Sequence, residues 1–345
     1  MMDWTDRHCR YFLRGFAPSA LLYTEMIVAE AILRGDAARL LRHHPDEHPL
    51  ALQLGGSDPQ RLAAAARIGM DAGYDEINLN CGCPSDRVRS GAFGASLMRE
   101  PQRVADCVAA MRSAVSMPVT VKMRIGVLDG GPGFREHVQG FDAADEAALH
   151  DFVQAVVAAG CAGIIVHARK AVLGGLSPEQ NREVPPLRHD VVRALKARWP
   201  TLPLVLNGGL RSAPAAVDAL RWCDGVMFGR EAYHRPELLA ELERLLVDGH
   251  FVGPSPAEAL ERMARYATTE LARGERLASI VRHMLGLLAG RAGARELRRQ
   301  LSEGARSAGA GAELLWQAAA RCRAQSTEAR DRAPVAAQLS ADGGR

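Results

Sequence analysis

Short runs of aliphatic and β-branched residues recur through the first two-thirds of the chain. Each is followed by an Ala-rich stretch whose apolar positions repeat at helical spacing. The runs are Leu21–Met26, Leu50–Leu54, Glu76–Asn80, Val119–Met123, Gly163–His167, Leu204–Asn207 and Gly225–Phe228. The amphipathic stretches between them include Gln60–Ala72, Gln102–Val115, Ala144–Ala159 and Ala213–Trp222. Strand, loop and helix repeated at this spacing predict βα units around a parallel sheet. Continuous runs such as GIIVHAR and PLVLNGG suit strands buried on both faces. The runs number seven, and the opening MMDWTDR reads as a loop that follows a strand. The expected fold is therefore α/β, a (β/α)8 TIM barrel whose first strand lies upstream of the given start. An open seven-stranded sheet is the alternative.

After Pro254 the strand pattern stops. AEALERMARYATTELARG, LASIVRHMLGLLAG and GARELRRQLSEG read as helices, with Gly274, Gly290 and Gly304 at their expected ends. The predicted organisation is a barrel over 1–254, an all-helical domain over 255–320, and a disordered tail over 321–345. The Gly-rich stretch LDGGPGFREHVQGFD (128–142) reads as a long loop inserted after a strand.

Composition narrows the class. With 48% hydrophobic and 24% charged residues, the chain is neither disordered throughout nor collagen-like. No run of about 18 apolar residues is present, so no membrane span is expected. The N-terminus lacks the apolar segment of a secretory signal. Seven cysteines without framework spacing point to a reducing, cytoplasmic setting. A net charge of +3 does not diagnose a nucleic-acid binder. The 43 cations include only Lys122, Lys170 and Lys196 as lysines, which singles those positions out.

In a parallel barrel the site forms at the C-terminal strand ends. NGGL (207–210) and MFGR (227–230) end the last two strands. Glycine there lets backbone N–H groups approach a phosphate, and Arg230 adds a bidentate donor. The alternative is that these glycines only make tight turns. Lys122 lies mid-strand in VTVKMRIG, where an unpaired ammonium is costly, so it is expected to face the barrel mouth. His167 ends the next strand. Lysine and histidine so placed suit the electron-rich edge of a flavin. Cys83 sits in a Gly- and Pro-flanked turn, suited to a nucleophile or acid. Cys81 and Cys83 alone supply two ligands, so no metal is expected.

Taken together, MMDWTDRHCRYFLR, QLGGSDP, INLNCGCPSDRV, VKMRIG, VHARKAVLGGLSPEQNR, NGGL, MFGR and RHMLGLLAGRAGARELRR closely resemble the tRNA-dihydrouridine synthase family, A subfamily. The resemblance extends to about residue 304. It implies reduction of the uridine 5,6 double bond in the tRNA D-loop, at positions 20 and 20a, with FMN and with NADPH as reductant. By resemblance Cys83 protonates C5. Met2, Gln53, Lys122, His167, Asn207, Gly208, Gly209, Gly229 and Arg230 fall at flavin positions. Asn80, Glu179, Arg182, Arg295 and Arg298 fall at tRNA positions.

The chain departs from the family at three places. The Ala-Pro-Met strand end is reduced to Met1 and Met2. Glu179 stands where the subfamily usually has Lys, and a carboxylate there repels phosphate. The stretch 128–142 exceeds the usual loop. Residues 255–345 hold 15 Arg against 10 acids; charge alone reads as a solvated Arg face, and it is the resemblance that implies a tRNA-binding module. Two other readings remain at this stage: a flavin barrel acting on a free pyrimidine or enone, and an RNA-binding protein without flavin activity.

Overall fold

A computed structural model describes residues 1–84, 93–131, 133–290 and 293–332, with side chains through Gln325. The rest of the Cys83 loop (85–92) and Arg291 lie outside the described residues. The chain forms two compact units. The first comprises Met1–Tyr11 and Ser19–Glu231; the second comprises Phe12–Pro18 and the chain from Ala232 onward.

The first unit is built on one parallel sheet. Its strands are β1 (Leu22–Tyr23), β2 (Ile27–Val28), β3 (Leu50–Gly55), β4 (Glu76–Cys81), β5 (Val119–Arg124), β7 (Ile164–His167), β9 (Leu204–Asn207) and β10 (Gly225–Met227). The order is β1-β3-β4-β5-β7-β9-β10, with β2 also paired to β3. Every pairing is parallel, and helices alternate with the strands. The barrel-type βα path read from the sequence is thus present. It curls but does not close: β1 and β10 form the two ends of the path and do not pair.

The outer strand faces carry the core. Leu50, Leu52, Leu54, Ile77, Leu79, Cys81, Val121 and Met123 are fully buried and pack with Leu62, Val104, Val108, Met111, Phe152 and Val156 of the surrounding helices. Those helices start where local chemistry dictates. Asp58 caps Pro59–Asp71, and a reciprocal Asp142–Asp145 capping box opens Ala143–Ala158.

The inserted stretch is not all loop. β6 (Val127–Asp129) pairs in parallel with β8 (Ala171–Leu173), and a short helix covers Phe134–His137. Three-residue strands carry too little periodicity to be read in advance.

The second unit is helical. Helix Pro256–Ala272 has a Ser255–Glu258 capping box and packs along Glu313–Arg332. Leu277–Val281, the 3-10 turn Leu285–Leu288 and Ala294–Gly304 complete its core around Leu260, Met263, Ile280, Leu287, Leu301 and Leu315. This unit takes in helix Glu237–Leu246 and so starts before residue 255. Helix Glu313–Arg332 runs through residues 321–332, past the boundary at 320 expected from the sequence.

Candidate active site

Strand alternation builds the site. On β4, Ile77, Leu79 and Cys81 face the helices, so Glu76, Asn78 and Asn80 face the interior. The same parity turns Gln53, Thr120, Lys122, Arg124, His167 and Asn207 inward. The register sets Gln53 beside Asn78, Asn80 beside Lys122, Arg124 beside His167, and His167 beside Asn207.

Buried amides need partners, and these find one another in a single-direction chain. Asn80 Nδ2 donates to Gln53 Oε1 at 2.7 Å, and Gln53 Nε2 donates to Asn78 Oδ1 at 2.9 Å. Asn78 Nδ2 donates to Thr120 Oγ1 at 2.8 Å, and Thr120 donates to Glu76 Oε1 at 2.6 Å. Tyr23 Oη donates to the same carboxylate oxygen at 2.9 Å. Burial raises the Glu76 carboxyl, while the two hydroxyl donors oppose that shift.

The upper end of this chain holds the cysteine. Asn80 Oδ1 accepts from the N–H groups of Gly82 (3.1 Å) and Cys83 (3.0 Å), an Asx-type turn. The Cys83 carbonyl accepts from Ala95 N–H at 2.9 Å. Cys83 is half-buried at the edge of the core, whereas Cys81 is fully buried among the helices. β4 ends at Cys81, and the turn fixed by Asn80 carries Cys83 off the strand, which separates the two thiols.

Positive charge gathers at the same strand ends. Burial, then neighbouring Arg124, lowers Lys122 to about 8. Burial holds His167 well below its ordinary value, reinforced by Arg124, Lys122, Arg169 and Arg182, so the imidazole is neutral at pH 7. A negative charge on Cys83 would favour the charged forms of both Lys122 and Arg124.

The last two strands end as the glycine pattern requires. Gly208 and Gly209 have φ of +103° and +75°. A Cβ on Gly208 would stand 2.4 Å from the His167 ring. Asn207 Nδ2 donates to the Met227 carbonyl at 2.9 Å, tying β9 to β10. Gly229 lies beside Met1, and Arg230 pairs with Glu183 at 3.0 Å. Met2 is 54% exposed.

The segment after β8 is pinned by Asn181, fully buried, which bonds Val172 through both amide atoms and donates to the Leu176 carbonyl. It presents Arg182, whose Nε is buried without an acceptor among the described residues. Glu179 is exposed just before the 3-10 turn Gln180–Arg182. In the second unit, Arg295 and Arg298 are exposed on helix Ala294–Gly304, while Arg299 is held by Glu296 and Glu303.

The other two lysines serve structure. Lys170 is buried against Asp145 at 2.5 Å, and Lys196 meets Asp224 at 2.6 Å and the Pro200 and Leu202 carbonyls. Glu76, Tyr23, Thr120 and Asn181 were not found from the sequence. The alternation in EINLN was the one signal for an inward polar face. No group of three metal-type ligands occurs among the described residues, and none of their helices is long and apolar enough to cross a membrane.

A parallel sheet with cationic side chains and glycine turns at its carboxyl ends defines an enzyme of the barrel class. The comparisons agree. Residues 1–324 match the dihydrouridine synthase (Dus) family. A tRNA-dihydrouridine(20/20a) synthase of Xanthomonas campestris pv. campestris is 54% identical over 323 residues, 93% of this chain and 91% of the relative. Proteins of the same name from Salmonella typhi and Synechocystis sp. are 50% and 51% identical, each covering 92% of this chain and 92% and 91% of their own lengths. The chain belongs to the dihydrouridine synthase family.

Proposed function

We propose that this protein is a tRNA-dihydrouridine synthase that reduces the uridine C5–C6 double bond at D-loop positions 20 and 20a, the positions in its relatives' names. The observation that carries the reading is the set of groups at one strand-end mouth. Cys83 stands on a turn fixed by Asn80, across from Lys122 and neutral His167.

The mouth suits FMN. Lys122, Arg124, Arg169 and Arg182 give it a positive field, and the Gly208–Gly209 and Gly229–Arg230 turns offer backbone N–H groups and a guanidinium for a phosphate. Gln53, Lys122, His167, Asn207, Gly208, Gly209, Gly229 and Arg230 would hold it, with Met2 at the rim. FMN held there would supply the hydride for C6, with NADPH as the reductant. Cys83 Sγ supplies the proton for C5, and its thiolate is left facing Lys122 and Arg124. Neutral His167 remains a hydrogen-bond donor that adds no further charge. The target base must leave its stack to lie in this mouth. In this reading Arg182 meets the base, Asn80 acts through the Cys83 turn it fixes, and Arg295 and Arg298 bind phosphates. Glu179, exposed near Arg182, weakens local phosphate contact.

The test is incubation with dihydrouridine-free tRNA, FMN and NADPH, followed by mass spectrometry of nuclease fragments. The expected result is a gain of two hydrogens at 20 and 20a. Equal turnover of free uridine would favour a small-molecule reductase instead.

A further inference from the structure

Arg124 is 4% exposed, yet it makes no ion pair among the described residues. Its neighbours are cationic: Lys122, Arg169 and Arg182. A buried guanidinium without a counter-charge is expensive, and structures keep one only where its donor geometry does something a neutral side chain cannot. Among the described residues, each of its hydrogen bonds goes to a backbone carbonyl. Nε donates to Gly82 at 3.1 Å, and Nη1 donates to Lys170 at 3.2 Å and Asn181 at 3.0 Å. These carbonyls lie on two segments distant in sequence. Gly82 precedes Cys83, and its N–H is already taken by Asn80 Oδ1. Lys170 and Asn181 bracket the segment that ends in Arg182.

We propose that Arg124 is a positioning residue whose planar fork locks the Cys83 turn to the Lys170–Asn181 segment, so that Cys83 and Arg182 are presented as one rigid unit. The proposal rests on the functional reading above for the roles of Cys83 and Arg182; the coupling itself does not depend on that reading. Lysine keeps the charge but is a point donor that cannot span both segments. Glutamine removes the charge and keeps part of the shape.

Amide hydrogen exchange on the intact protein reads the coupling directly. In Arg124→Lys, and in Arg124→Gln should the lysine variant fold poorly, peptides covering 78–84 and 170–182 should lose protection together, while those covering β9 and β10 do not change. In the tRNA assay, kcat should fall by about a hundredfold, the cost of a misplaced acid, with KM for tRNA little changed. Guanidinium ion added to Arg124→Ala should restore protection to both segments and part of kcat. Loosening of only one segment, or unchanged protection in both, would overturn the clamp. If wild-type protein made no dihydrouridine, the functional reading would fail while the exchange experiment still decided the coupling.

Discussion

At the residue scale the site is set by a few side chains in unusual surroundings. Cys83 is held through its N–H and its carbonyl, so replacing the thiol leaves the turn intact. Cys83→Ala should keep NADPH-driven flavin reduction at the wild-type rate and lose dihydrouridine formation by about a hundredfold or more; full activity would remove the thiol from its role as acid. Lys122 makes a prediction about pH. Burial lowers it from 10.5 to about 8, so between those values the unfolded chain binds the extra proton and stability rises with pH. In cofactor-free protein, Lys122→Met should abolish that slope and raise stability below pH 8, by at most about 3 kcal/mol. Parallel stability curves for the two proteins between pH 7 and 10.5 would show that Lys122 is not desolvated. Gly208 combines φ of +103° with a His167 ring in the path of any Cβ. Gly208→Ala should therefore displace the imidazole and cost flavin affinity, read by fluorescence titration.

At the element scale, the long strands and helices were legible because each buries a continuous face. Leu50–Leu54, Val119–Met123 and Leu204–Asn207 fall within one residue of β3, β5 and β9. The inward polar ladder was not legible, because Glu76, Asn78 and Thr120 meet only once β4 and β5 pair in register. A sequence gives residue parity on one strand but not the partner across it. For the same reason β6 and β8, three residues each, were missed. One element-level prediction runs against helix propensity. Gly69 lies inside helix Pro59–Asp71, where alanine would ordinarily gain about 1 kcal/mol. A Cβ there would sit 2.5 Å from Cδ2 of Leu52, which is fully buried on β3. Gly69→Ala should destabilise by about 1–3 kcal/mol in denaturant melts; a stabilised variant would mean that helix and strand are less tightly packed.

At the scale of the whole molecule, the barrel-type unit carries the mouth and the helical unit carries an arginine face. The motif RHMLGL…GAR..RR pointed to that face, but charge alone did not distinguish its members. The structure does: Arg299 is engaged by two glutamates, while Arg295 and Arg298 stand exposed three residues apart. The double change Arg295→Glu with Arg298→Glu should weaken tRNA binding and reduce the slope of log affinity against log salt by about two. An unchanged slope would place the RNA contacts elsewhere. Neither boundary of the helical unit followed from the strand pattern, since helix Glu237–Leu246 reads equally well as the last helix of a barrel.

The placement of the three lysines has a practical consequence. Amine-directed reagents usually decorate a protein surface at random, but here two of the three lysine amines are tied up in ion pairs with Asp145 and Asp224. The third, Lys122, is lowered to about 8, so at pH 7.5 roughly a quarter of it is the nucleophilic free base, against about a thousandth for an ordinary lysine. Among its lysines, the protein thus directs an acylating probe of modest size to the mouth itself. Occupancy of that mouth could be followed by the loss of the label on Lys122.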